Sequence, residues 1–296
     1  MSAGHGAPAV GSAQQASIVQ FPHPVNEHVP RGNVMPWNTG PKHARKFMRS
    51  RGTTVDPGGQ PQITDDLVFW GEWEPPSVIE RRWSPAKELP TVIHLPSWSD
   101  PPPGWRQNTD PWVFGPKFLY SNCKQLTPKL NPSALQRLSR GSLILFGSAK
   151  PNQGRFILDT AFVVDERISQ FQTGDRLDAV SEAFQVCTVD SLATDPNPVV
   201  HHAQLTLFTG ATPSQPVFGM FSFVPCRRWD GDSSRFPRPS IELPDIINPK
   251  SKQSPSGAKQ LRPIAEVRQA WESVVDQVLD AGLELGTQIA EPARQY

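Results

Sequence analysis

The stretch that decides the fold is Gly141-Ser-Leu-Ile-Leu-Phe-Gly147 followed by Arg155-Phe-Ile-Leu-Asp-Thr-Ala-Phe-Val-Val164. Both runs are almost continuously apolar and contain β-branched residues, which is typical of buried strands. The segment between them, Ser148 to Gly154, has the composition of a turn. The sequence therefore predicts a β-hairpin, with a core made by six side chains: Leu143, Leu145, Phe156, Leu158, Phe162 and Val164.

Asp159 interrupts the second of these runs. A buried carboxylate requires partners, so Asp159 either faces a wet surface or lies in a polar site. A catalytic role is one interpretation, and a hydrogen bond to Arg155 or to a loop amide is the other.

Outward from the hairpin, several segments have the composition of strands: Leu67 to Glu74, Thr91 to Pro96, His201 to Thr209, and Pro216 to Val224. The chain contains 33 prolines, which favours turns and strand edges over long helices. Thr173 to Val186 and a segment that starts at Pro263 show helical spacing of apolar residues. We therefore expect a β-rich α+β fold: a mixed barrel or bent sheet with short helices and a C-terminal helix.

The expected organisation is a disordered tail over residues 1–17, one β-rich domain with proline-rich loops over 18–250, a linker over 251–260, and a helix over 261–290 packed on the domain. The net charge of +1 excludes a strongly basic nucleic-acid coat protein. No apolar run approaches the ~18 residues of a membrane span, and residues 1–16 lack the features of a signal peptide. These observations predict a cytoplasmic protein that does not interact with membranes.

The sequence contains no enzyme signature, because it lacks a Gly-rich phosphate loop, a GxSxG nucleophile elbow and an HExxH metalloprotease motif. The three cysteines, Cys123, Cys187 and Cys226, form no CxxC pair and indicate neither disulfides nor a zinc site. His23, Glu27 and His28 are close enough in sequence to suggest a metal site, but an ordered loop is the favoured interpretation. We therefore expect no metal and no cofactor.

Glu72 and Glu74 lie two residues apart on a predicted strand, which places them on one face roughly 7 Å apart. Such a pair is suited to general acid–base catalysis. The alternative is that both glutamates pair with Arg81 and Arg82 across a hairpin.

The most basic stretch, Lys42 to Arg51, predicts a short helix that starts near Pro41. This segment is either a phosphate-contacting surface or a solvated face. Its candidate phosphate contacts are Lys42, Arg45, Lys46 and Arg49.

Tryptophans are concentrated between Trp70 and Trp112, beside the polar residues Asn108 and Asp110. Indole rings stack on bases, and amide or carboxylate groups read a base edge by hydrogen bonds. The alternative is that the tryptophans fix a proline-rich loop. The candidate ligand-binding residues are Trp70, Trp73, Trp98, Trp105, Asn108, Asp110 and Trp112.

The hairpin sequence resembles the paired strands of the PUA-like barrels, a superfamily that includes the EVE, ASCH and YTH domains. Phe69-Trp-Gly-Glu-Trp73 and Asn108-Thr-Asp-Pro-Trp-Val-Phe-Gly115 also resemble motifs of bacterial proteins associated with nucleotide modification or phage defence. The resemblance covers residues 65 to 225 and implies an aromatic cage for a modified or flipped base.

Binding of a nucleotide or modified base, within nucleic acid, is the expected function. An enzyme acting on a nucleotide or nucleic acid through Glu72, Glu74 or Asp159 is the alternative. A third possibility is a non-catalytic subunit that docks a protein partner through its proline-rich loops or C-terminal helix. Converging carboxylates would favour catalysis, and a pocket walled by aromatic side chains would favour binding alone.

Overall fold

Two mixed β-sheets form the framework of the protein in the computed structural model, which describes residues 14–23, 27–39, 43, 45–104, 106–150, 155–194, 203–248, 251 and 254–295. The strands are β1 Gln15–Pro22, β2 Val34–Met35, β3 Arg45–Val55, β4 Pro61–Glu72, β5 Ser77–Arg82, β6 Val92–Trp98, β7 Leu119–Tyr120, β8 Leu143–Lys150, β9 Arg155–Phe171, β10 Leu205–Gly210, β11 Val224–Arg228, β12 Ser240–Ile241, β13 Leu261–Pro263, β14 Glu284–Thr287 and β15 Ala293–Arg294. The α-helices are α1 Glu182–Phe184 and α2 Ile264–Asp280.

The first sheet has the order β13-β1-β8-β9-β10-β7, with β12 paired to β9. Its centre is the predicted hairpin of β8 and β9, whose register runs from Leu143 opposite Val163 to Lys150 opposite Arg155. The hairpin is confirmed, although β8 extends to Lys150 and takes in the first part of the predicted loop. The six predicted core residues of the hairpin are all buried, which confirms that prediction as well.

The second sheet has the order β14-β11-β4-β3-β6-β5-β2, with β15 paired to β6. Strand β14 pairs with β11 and also with β3, where Leu285 lies opposite Val55. This double pairing curls the sheet into a half-barrel. The β-rich α+β class predicted from the sequence is thereby confirmed.

Helix α2 packs on the β-structure through its apolar face, as the spacing predicted. Val267, Trp271 and Val274 are buried, and the Trp271 indole N–H donates to the Phe221 carbonyl oxygen at 2.9 Å. The helix ends at Asp280, ten residues earlier than expected. Gly282 adopts a φ of 70°, and the chain then forms β14.

The prediction of a short helix in the basic stretch, Lys42 to Arg51, is wrong. Residues 45–55 form β3, paired with β4 along its whole length. Both faces of the first half of β3 are buried. The sequence therefore shows neither the alternation of apolar and polar residues that marks a half-exposed strand nor the apolar stripe of an amphipathic helix.

Other boundaries also differ from the prediction. Strand β1 begins at Gln15, inside the predicted tail. In the Thr173 to Val186 segment, the helix begins only at Glu182. The strand predicted over 216–224 is instead a turn, because Phe218 and Gly219 both adopt positive φ and Val217 bridges to Met220. His201 and His202 lie outside the described residues.

Candidate active site

Charged side chains from both sheets meet in a buried cluster. Arg45 and Glu72 are brought side by side by the register of β3 and β4. From the first sheet, His23 follows β1 and Asp159 lies within β9. His43 precedes β3 and completes the cluster. Sequence positions more than a hundred residues apart thus form one polar site in the interior.

Glu72 is the centre of this cluster. Its Oε2 lies 2.6 Å from His23 Nδ1 and 2.8 Å from Arg45 Nη1, and its Oε1 contacts His43 Nδ1. Burial alone would raise the pKa of Glu72, but the charges of His23, His43 and Arg45 outweigh burial and hold that pKa well below its usual range. Glu72 is therefore a carboxylate that stays ionised inside the protein.

The two histidines differ in their pKa shifts. Burial lowers the pKa of His23, and Glu72 only partly offsets it. Burial also disfavours charge on His43, but Glu72 and Cys123 outweigh it and raise the pKa well above its usual value. The two rings stack with centroids 5.0 Å apart and an angle of 9° between their planes.

Asp159 continues the cluster toward the protein surface. Its Oδ2 lies 2.8 Å from Arg45 Nε, and both of its oxygens lie 3.4 Å from Arg238 Nη1. The prediction that Asp159 forms a hydrogen bond to Arg155 is wrong, because Arg155 pairs with Glu242 at 2.7 Å. The alternative that Asp159 sits in a polar site is the one the structure shows.

Glu74 joins the same cluster from just beyond β4. Its Oε1 lies 3.4 Å from His43 Nδ1, and its other carboxylate oxygen accepts a hydrogen bond from Asn38. The predicted pairing of Glu72 and Glu74 with Arg81 and Arg82 is wrong. Arg81 pairs with Asp232, and Arg82 donates to the Gly32 carbonyl oxygen.

Thr109 and Asp110 form hydrogen bonds to backbone groups around the cluster. Thr109 Oγ1 accepts the Glu74 backbone N–H at 3.1 Å. The Asp110 carboxylate accepts the backbone N–H groups of Ser121, Asn122 and Cys123 at 3.0, 3.0 and 2.6 Å. Burial raises the pKa of Asp110 to about 6. These bonds hold the turn that carries Cys123.

The Cys123 thiol lies 3.7 Å from His43 Nε2. Burial raises the pKa of this thiol to about 12, although the neighbouring His43 acts in the opposite direction. Cys123 is thus an interior thiol beside an imidazole, whereas the Cys226 thiol donates to the Glu284 carbonyl oxygen at 3.5 Å.

Lys46 alternates with Arg45 along β3 and is completely buried. Its ammonium group has no hydrogen-bond partner among the described residues. Burial lowers its pKa to about 8, partly offset by Glu74 and Glu72. Of the other predicted phosphate contacts, Arg45 is also buried, Arg49 pairs with Asp66 and Glu80, and Lys42 lies outside the described residues.

The predicted indole pocket is largely interior. Trp70, Trp73, Trp98 and Trp112 are buried, and Trp105 lies outside the described residues. The indole N–H groups of Trp70 and Trp73 donate to the backbone carbonyl oxygens of Phe236 and Pro76 at 3.0 and 2.9 Å. Asn108 is buried with an amide nitrogen that has no partner among the described residues.

Two neighbouring cavities share Arg238, whose guanidinium also pairs with Asp159 at 3.4 Å. One, of about 290 Å³, is lined by Glu27, Trp70 and Arg238 among others. The second, of about 280 Å³, adds Arg155 and Arg227. A separate cavity of about 530 Å³, with a mainly apolar lining, lies next to Trp112 and Phe114. Trp70 and Trp112 are therefore the predicted ligand-binding indoles that line cavities.

Two groups of side chains place ligand atoms close enough for a metal ion: His23, His43 and Cys123, and His43, Glu72 and Glu74. The group suggested by sequence proximity is not assembled. Glu27 accepts from the backbone N–H of Thr91 at 2.7 Å, and the His28 carbonyl oxygen contacts His94 Nε2.

Sequence reasoning missed His43, Cys123 and Arg238 as members of the site. Two of them were noted for other reasons: His43 lies in the basic stretch, and Cys123 is one of the three cysteines. No local pattern marks them, because they come together only through the packing of the two sheets.

Comparison of the chain with protein-family models, with curated proteins and with solved structures finds no match. Among the described residues, no helix has the length and apolar character needed to span a membrane.

Proposed function

We propose that this protein is an enzyme that acts on a nucleotide or nucleic acid at the cluster around Glu72. The observation that carries the proposal is convergence: Glu72, Glu74 and Asp159, the three carboxylates singled out in the sequence, belong to one buried group with two imidazoles and two guanidinium groups. Converging carboxylates are the feature that favours catalysis over binding alone.

The energetic cost of the cluster supports a functional role. Buried charges pay a desolvation penalty that their mutual attraction only partly offsets, so an apolar interior would be at least as stable. Clusters of groups with shifted pKa values are common at active sites, where proton transfer and charge stabilisation require them. The opposite pKa shifts of His23 and His43 fit this pattern.

The two cavities that share Arg238 support an anionic, planar substrate. Arg155, Arg227 and Arg238 line one of them, and guanidinium groups bind phosphate well. Trp70 lines the other and offers an aromatic surface, with the Arg238 guanidinium 5.9 Å from its ring centre. A substrate held here would contact Arg238, which links the cavities to Asp159 and is available to stabilise negative charge.

The test is conversion of a panel of nucleotides, RNA and DNA by the purified protein, followed by chromatography and mass spectrometry. Asp159→Asn removes the buried carboxylate that pairs with the cavity-lining Arg238 and should lower turnover by about 100-fold or more. Glu166→Gln, an exposed carboxylate on the same strand, is the matched control and should leave turnover unchanged. Unchanged turnover in Asp159→Asn would contradict the assignment. Binding of a panel member without conversion, weakened by Asp159→Asn, would instead show recognition without catalysis.

A further inference from the structure

We propose that His23, His43 and Cys123 bind one Zn²⁺ ion, with Glu72 orienting both imidazoles. This site goes beyond the proposed function. It depends on the positions and chemistry of the ligand atoms and not on the reaction that the protein performs.

The separations of the ligand atoms fit a tetrahedral ion. One ligand atom from each of the three residues lies within 4.8 Å of the other two. Typical zinc bond lengths, about 2.3 Å to sulfur and about 2.0 Å to nitrogen, place sulfur and nitrogen about 3.6 Å apart in a tetrahedral site. Cys123 Sγ and His43 Nε2 are 3.7 Å apart. This edge of the coordination tetrahedron is therefore already formed.

Glu72 contacts both histidines through their Nδ1 atoms. His23 Nδ1 forms a hydrogen bond to its carboxylate at 2.6 Å and His43 Nδ1 makes an ion-pair contact, so the Nε2 atom of each ring is left for an ion. Metal-binding histidines usually donate their second nitrogen to a carboxylate in this way. A single glutamate here serves two ligands at once.

The His23 Nε2 atom supplies an independent observation. It belongs to a side chain that is only 2% exposed, and it has no hydrogen-bond partner among the described residues. An unsatisfied buried polar atom costs about 1–3 kcal/mol, and a bound cation would satisfy it.

The ligand set selects the kind of metal. Two imidazoles and one thiolate suit zinc, whereas magnesium and calcium prefer oxygen ligands. Cys123 releases its proton when it binds, and the turn that carries it is already held by three hydrogen bonds to Asp110. Three protein ligands leave a fourth position open to water or a substrate, as in catalytic zinc sites.

The second group, His43 with Glu72 and Glu74, is the less suitable site. It would use His43 Nδ1, which already contacts Glu72. Glu72 also pairs with Arg45 at 2.8 Å, and that guanidinium would repel an ion bound to the same carboxylate. The two groups make different predictions for Cys123, so one experiment separates them.

The experiment uses the full chain stripped of metal with a chelator and titrated with Co²⁺, whose absorption reports both a thiolate ligand and tetrahedral geometry. We expect one equivalent to bind, with an intense thiolate-to-cobalt band, and Zn²⁺ to displace it one for one as measured by elemental mass spectrometry. Cys123→Ser should abolish the band and weaken binding at least tenfold. Cys226→Ser replaces another buried thiol, which donates to the Glu284 carbonyl oxygen rather than facing a histidine, and should change neither property.

Glu72→Gln should weaken binding by about 10- to 100-fold, since loss of a carboxylate that hydrogen-bonds a metal ligand typically has this effect.

Binding without a thiolate band in the native protein would overturn the site, and so would a lack of Co²⁺ binding. Because both outcomes are read in the native chain, they decide the matter even if Cys123→Ser fails to fold. Binding that survives Cys123→Ser but is lost in Glu74→Gln would assign the ion to the carboxylate group instead. Metal binding is measured without substrate, so its failure is distinct from a failure to convert nucleotides.

Discussion

The Lys46 ammonium group is completely buried and has no hydrogen-bond partner among the described residues, an arrangement that reduces stability. Burial lowers the pKa of Lys46 from its ordinary value of 10.5 to about 8 in the folded protein. Below pH 8 the lysine is charged in both the folded and unfolded states, and the folded state carries the full desolvation penalty. Between pH 8 and 10.5 the unfolded state binds more protons, so stability rises with pH through this window.

We therefore predict that Lys46→Met stabilises the protein at pH 7, by up to about 3 kcal/mol on the basis of ~1.4 kcal/mol for each pKa unit. The gain should shrink as the pH rises from 8 to 10.5, and urea unfolding at several pH values would measure it. Lys117→Met, at a partly exposed lysine paired with Asp165, should change stability by less than about 0.5 kcal/mol. A gain that does not depend on pH would show that lysine desolvation is not its source.

Asp110 acts as a backbone acceptor for the turn that carries Cys123. In Asp110→Asn the amide has one acceptor oxygen in place of two, so at least one of the three N–H groups is left unsatisfied. We expect a loss of about 1–3 kcal/mol in the free energy of unfolding, measured by urea denaturation. The same change at the exposed Asp178 should have little effect, and equal effects at both positions would contradict the assigned role.

At this scale the sequence located carboxylates but not their partners. Glu72, Glu74 and Asp159 were all selected as candidates, yet each was expected to pair with an arginine near it in sequence. The observed partners are Arg45 for Glu72 and Asp159, and His43 for Glu74. Sequence proximity is a poor guide here, because Arg45 reaches Glu72 through the pairing of β3 with β4 and reaches Asp159 only when the two sheets pack.

At the scale of elements, the β8–β9 hairpin was predictable because its strands are apolar on both faces and a turn separates them. Phe146 is 1% exposed and packs against Phe21 and Tyr120, with ring centres 4.8 and 5.6 Å away. We predict that Phe146→Ala costs about 3–5 kcal/mol, measured as a shift in the denaturation midpoint. Leu261→Ala, at a side chain 60% exposed on β13, is the control. A cost below about 1 kcal/mol for Phe146→Ala would mean that this side chain is not central to the core.

Strand β3 shows why another element was missed. Its first residues, Arg45 and Lys46, are charged and would ordinarily lie at the surface, so the sequence predicted a short helix that is either solvated or in contact with phosphates. Both are buried because β4 lies against them on one edge and the two sheets enclose them. Charges retained in the interior for a functional cluster break the hydrophobic pattern on which sequence reading depends.

At the scale of the whole molecule, β14 closes the half-barrel by pairing with β11 and β3. We predict that a chain ending at residue 282 loses cooperative unfolding, because the edges of both strands become unpaired. A chain ending at residue 291 keeps β14 and loses only β15, and it should retain a cooperative transition. Thermal unfolding followed by circular dichroism measures both, and cooperative unfolding of the shorter chain would contradict the role of β14.

The pairing of β14 with β3 also constrains the order of events on the ribosome. Strand β3 emerges early, but its partner at residues 284–287 is synthesised more than two hundred residues later. Until then the edge of β3 that pairs with β14 is open, so the nascent chain should depend on protection from premature association. Stalled chains that lack residue 287 should accordingly remain sensitive to protease, and resistance should appear only once that residue has left the exit tunnel.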